Sequence, residues 1–100
     1  MVKLVVLYKK PADVSAFEQH YREIHAPLAR KMPGLKKLEV SHVTGSPGGE
    51  AKYYMMAECY FEDKAAMMAA LGSDEGKAAA KDVMGFAGDI LHMMFVDVDE

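Results

Sequence analysis

The chain predicts an α+β fold: one antiparallel sheet in the order β-α-β-β-α-β, with both helices on one face. Three observations carry this. Four short segments, near residues 2–8, 35–44, 52–61 and 90–98, show strand patterning. The intervals after the first and third carry helical periodicity with cap residues at their starts. The interval between the second and third is only a short run around Gly45-Ser46-Pro47-Gly48-Gly49, which suits a hairpin.

Val2 to Tyr8 opens the chain as a strand. Val2, Leu4, Val6 and Tyr8 share one face, Val5 and Leu7 the other, so the strand reads as central and covered on both sides. Lys9-Lys10-Pro11 ends it, because proline cannot donate to a ladder. Ser15 and Glu18 have the spacing of a capping box, with Asp13 as a rival cap. Phe17, Tyr21, Ile24 and Leu28 follow at helical spacing and form a stripe for the sheet. His25 and Met32 fall on one edge of that stripe and His20 on the other. Pro27 removes one i to i−4 bond, which predicts a kink or restart, and Pro33-Gly34 ends the helix.

Leu35 to Thr44 is the second strand, with Leu38, Val40 and His42 on one face; Lys52 to Phe61 is the third. Asp63 is a plausible cap for the second helix, whose apolar side reads as Ala65, Met68, Ala69 and Leu71. Gly72-Ser73 interrupts it, and Asp74 to Lys81 reads as a further short helix with Ser73 or Asp74 as cap. Val83 to Gly88 reads as a turn anchored by Phe86, and Ile90 to Val98 as the last strand.

Two βαβ units joined this way are the ferredoxin-like arrangement. The first and last strands are apolar on both faces, yet the helices cover only one. A second copy stacked sheet to sheet would cover the other, so a homodimer is expected.

The totals narrow the function. One hundred residues make a single domain over 1–100, and 51% hydrophobic residues suffice for one core. A formal charge of −3 with no basic stripe excludes a nucleic-acid surface. The N-terminal apolar run is too short for a secretory signal or a membrane span. Cys59 is the one cysteine, so no internal disulfide forms, and a reducing, cytoplasmic setting is expected. Nine methionines give an adaptable interior, suited to filling gaps in a core or to lining a pocket for a flexible apolar ligand. No dinucleotide fingerprint, P-loop or nucleophile elbow is present, so no cofactor is expected. No histidine pair has the i, i+4 helical or i, i+2 strand spacing of a metal site, so no metal is expected either.

The stretch PADVSAFEQHYREIHAPLARKMPGL, the following LEVSHVTG and the late DVMGFAG resemble the EthD family of the dimeric α/β-barrel superfamily. The resemblance covers essentially the whole length, and HYREIHAPL with PGL is its most specific part. It implies a ferredoxin-like protomer and a barrel-forming homodimer. Members are described as degradation proteins or reductases, and the second label has no visible hydride site in this chain. A narrower similarity is to the methylmuconolactone methylisomerases of the same superfamily. It rests on Pro33-Gly34-Leu35, on Glu58-Cys59-Tyr60-Phe61, and on His25 standing eight residues before Pro33. That similarity implies catalytic positions at His25 and Cys59; the substrate is not carried over.

Three residues are candidates for chemistry. His25 can move a proton either way near neutral pH, and its competing role is packing beside Pro27. Tyr21, four residues earlier, could orient a carbonyl or the imidazole, or simply be a core tyrosine. Cys59 would be a nucleophile or acid only with an imidazole beside it, since burial alone makes thiols inert. Glu58 points to the opposite face from Cys59 and needs a partner if buried. These residues suggest a cofactor-independent enzyme, an isomerase, cyclase, lyase or monooxygenase-like protein. It would act on a small apolar or aromatic-derived oxygenated metabolite. The alternative is a non-catalytic carrier of such a ligand in a degradative pathway.

Overall fold

The computed structural model describes residues 1–99. Strand β1 (Val2–Tyr8) leads to α1 (Val14–His20), a single π-helical turn (Tyr21–His25) and α2 (Ala26–Arg30), which follow one another without a break. Then come β2 (Lys37–His42), β3 (Met55–Phe61), α3 (Lys64–Gly72), α4 (Asp74–Ala87) and β4 (Leu91–Asp97). The strands form one antiparallel sheet in the order β2-β3-β1-β4, the expected ferredoxin-like topology. β1 is central, as its two apolar faces require. β4 is equally apolar but lies at an edge, where Met93, Met94 and Phe95 are exposed.

The register fixes which side chains meet the helices. Leu4 stands opposite Cys59 and Phe95, Val6 opposite Ala57 and Met93, and Tyr8 opposite Met55 and Leu91. Opposed residues share a face, so these, with Leu38 and Val40 of β2, form the side on which the core assembles. Lys3, Val5 and Leu7 lie on the other face with Met56, Glu58 and Tyr60. Glu58 is buried there, and its partner is Lys3, whose Nζ donates to Oε2 at 2.6 Å. A carboxylate at such a position is tolerable only when paired.

Asp13, not Ser15, caps α1: its carboxylate accepts from the Ala16 N–H at 3.0 Å. Ser15 lies inside the helix. Glu18 is used elsewhere, accepting from the Tyr54 hydroxyl and from His42 Nε2. The next departure is larger. Pro27 has no N–H, and its ring would crowd the carbonyl four residues back. The chain answers by widening one turn, so the Ala26 N–H bonds to the Tyr21 carbonyl five residues earlier. The extra residue shifts the helical phase. Phe17 and Tyr21 are buried as expected, but Ile24 is 48% exposed and Leu28 only half-buried. His25, Ala26, Ala29 and Met32 take the inner positions instead.

The second helical region also differs from expectation. Met67 and Ala70 are the buried residues of α3, and Met68 is exposed. Asp63 caps this helix, accepting from the Ala66 N–H at 2.8 Å. Ser73 does two jobs at the elbow: its hydroxyl donates to the Ala70 carbonyl and accepts from the Gly76 N–H. The expected turn at Val83 to Gly88 is the end of α4, which runs unbroken to Ala87. Ala79, Val83 and Ala87, four apart, bury one face of this helix. That burial outweighs the weak helix propensity of Gly85. Among the described residues, no helix is long and apolar enough to cross a membrane.

Candidate active site

Four aromatic rings fill the centre of the layer between sheet and helices. Tyr8 packs edge-on against Phe17 and Tyr21, with ring centroids 5.4 and 5.9 Å apart. Phe86 of α4 closes on the cluster from the other helix, 5.6 Å from Phe17. Beside this cluster lies a cavity of about 350 Å³, bounded by the sheet, the π turn, α2 and α4. Its walls are almost wholly apolar, and they include the exposed Met93 and Phe95 of the β4 edge. Tyr8, Tyr21, His25 and Cys59 line it.

The π turn brings His25 to this cavity, and α4 supplies its partner. Asp82 bridges two imidazoles: Oδ2 lies 3.0 Å from His25 Nδ1, and Oδ1 lies 2.9 Å from His20 Nε2. A carboxylate only accepts, so each facing ring nitrogen carries the proton. Phe86 lies against both rings, 4.2 Å from His20 and 5.4 Å from His25 by centroid. His25 Nε2 is therefore left with its lone pair. It has no protein partner, yet no buried side-chain nitrogen or oxygen among the described residues lacks one. Nε2 accordingly keeps some accessible surface, and His25 is part of the cavity wall.

The electrostatics suit a base. Burial pushes the His25 pKa below the ordinary histidine value, against the raising influence of Asp82, and nearby His20 lowers it further. The resting imidazole is neutral at physiological pH. Burial raises the pKa of Tyr8 and Tyr21 well above the phenol range, so both hydroxyls stay protonated. Neither hydroxyl bonds to protein among the described residues; Tyr8 is fully buried and Tyr21 nearly so, and both side chains form part of the cavity wall. Burial pushes the Cys59 thiol up to about 11. It is a thiol at neutral pH, and the shift has no imidazole contribution. Within its apolar wall Cys59 offers a weak donor, not a nucleophile.

The three expected residues thus share one cavity, with Tyr8 beside them. The Asp82 bridge to His25 and to the flanking His20 was not foreseen. Reading α4 as ending at Lys81 leaves Asp82 between that helix and the turn expected at Val83 to Gly88; extending the Ala79, Val83, Ala87 spacing places it on the helix flank next to the core. The remaining histidines lie elsewhere. His42 bonds to Glu18 near the surface, and the His92 ring lies 6.0 Å from that of Tyr53.

The EthD domain family model matches residues 9–90. An uncharacterized 11.0 kDa protein from the thcB–thcC intergenic region of Rhodococcus erythropolis is 36% identical, over 97% of this chain and 94% of its own length. An EthD-family protein from Bacillus halodurans is 47% identical, with a TM-score of 0.95 and 99% of each chain covered. More distant structures share the fold alone. One is SnoaB, a cofactor-independent oxygenase from Streptomyces nogalater, at 13% identity and TM-score 0.73, covering 99% of this chain and 93% of that one. Another is a dimeric ferredoxin-like protein of unknown function from Jannaschia, at 18% and 0.72, covering 97% and 98%.

Proposed function

The chain belongs to the EthD family, and from that premise we propose that it is a cofactor-independent enzyme moving a proton on a small, mostly apolar, oxygenated molecule. The observation that carries this reading is a neutral imidazole, His25, held at Nδ1 by Asp82 with Nε2 free of protein partners and the ring in the wall of an apolar cavity. His25 Nε2 takes a hydrogen from carbon next to a carbonyl. The C–H pair becomes the enolate double bond, and the oxygen gains the charge. Tyr8 and Tyr21 line the same cavity, and a phenol hydroxyl turned into it would donate to that oxygen. Return of the proton to a different carbon gives isomerisation; loss of a leaving group gives elimination. The likeness to SnoaB supports chemistry without a cofactor on this fold, though at 13% identity it bears on the fold and not on a shared reaction.

The test uses 2-tetralone, a bicyclic ketone with an acidic carbon-bound hydrogen. In D2O the protein should speed deuterium uptake at that carbon above the buffer rate. Binding of the ketone with no acceleration would overturn the enzymatic reading and leave a carrier, which the apolar walls alone would also suit.

We also infer a homodimer. Met93, Met94 and Phe95 are 46, 41 and 59% exposed along one edge, and the outer sheet face adds Leu7 and Met56. Such apolar area is costly to leave in water. The Jannaschia structure with the same topology is dimeric. Sedimentation at low micromolar concentration should give twice the chain mass; a stable monomer would refute the pairing.

A further inference from the structure

We infer that the cavity selects an uncharged ketone or phenol and rejects carboxylates, an inference that rests on reading this cavity as the ligand site. The lining contains no lysine or arginine. Its ionisable members are His25, Tyr8, Tyr21 and Cys59, and burial holds all four in their neutral forms. A negative charge stands directly behind the wall: Asp82, joined to His25 and felt at Tyr8. Arg30 acts on Tyr21 electrostatically, but it is exposed and forms no part of the lining. A carboxylate entering would lose its water, find no cation and meet the field of Asp82.

The polar groups specify what replaces it. Two hydroxyls and a thiol donate, and His25 Nε2 accepts. A carbonyl oxygen beside an acidic C–H, or a phenol, matches this set. The proton-transfer step keeps the match, because it converts a neutral pair into an enolate and an imidazolium with no change in total charge. An already anionic ligand would become a dianion in the same apolar space. At about 350 Å³ the cavity lies at the small end of ligand pockets, suited to one or two fused rings.

Methionine methyl groups report the outcome directly, since Met32 and Met93 both line the cavity. Methyl NMR titrations of the full chain near neutral pH would compare 2-tetralone with the carboxylate of the same ring system, tetralin-2-carboxylate. The ketone should shift the Met32 and Met93 signals and bind about 100-fold more tightly than the acid. Equal or tighter binding of the carboxylate would overturn charge selection, as would failure of the ketone to move either signal. Because binding alone is read, absence of deuterium exchange would remove the enzymatic reading without touching this one.

Discussion

His25→Ala is expected to reduce deuterium uptake into 2-tetralone by about 10²–10⁴-fold, the range typical of a positioned general base. Methyl shifts at Met32 and Met93 should persist, separating lost chemistry from lost binding. Asp82→Asn should fall almost as far for a different reason. An asparagine amide can donate to His25 Nδ1, which would then accept and leave the proton on Nε2. The imidazole would present the wrong tautomer to the ligand. The pH profile carries the sign. In the native protein the exchange rate should rise with pH as His25 loses its proton, with a midpoint below the ordinary histidine value because burial lowers it. Asp82 raises the His25 pKa, so its neutralisation should move that midpoint lower still. A midpoint above the ordinary value, or a profile unmoved by Asp82→Asn, would remove His25 as the base.

Much of this arrangement was legible in the sequence, and the misses have specific causes. The apolar run of β1 and the hairpin run at Gly45 to Gly49 are enough to mark those strands and their connection, since strand patterning and turn chemistry are local signals. Phe17 and Tyr21 were legible for the same reason. Beyond Tyr21 the helical period ceased to be a guide, because the π turn inserts one residue and rotates everything after it. Pro27 announced a disturbance there without revealing its form. A kink would have left Ile24 inside; the wider turn puts His25 there instead. Asp82 is missed for the opposite reason: ending the helix at Lys81 ignores the four-residue spacing of Ala79, Val83 and Ala87, which carries it on to Ala87. The His20–Asp82–His25 bridge spans more than sixty residues of chain, and no local pattern encodes it.

The largest stability effect is expected at Gly76, and α4 supplies its own control. A Cβ built on Gly76 would lie 2.1 Å from the Ala70 carbonyl oxygen and 2.8 Å from that of Leu71. Both are backbone atoms at the α3–α4 elbow, which Ser73 ties through the Ala70 carbonyl and the Gly76 N–H. No rotamer change relieves such a contact, so the elbow itself must open. Gly76→Ala should cost about 3 kcal/mol, as overpacking of a rigid site does. For a chain of this length that lowers the melting temperature by roughly 12–24 °C. Gly85 lies in the same helix with nothing within 4 Å of its added Cβ. There the intrinsic helix preference for alanine is unopposed, and Gly85→Ala should stabilise by about 0.5–1 kcal/mol. Thermal denaturation of the two variants therefore separates helix propensity from close approach. Two stabilising substitutions would show that the elbow tolerates a side chain. Gly76 also lines the cavity, so an opened elbow should weaken 2-tetralone binding as well, whereas Gly85→Ala should leave it unchanged.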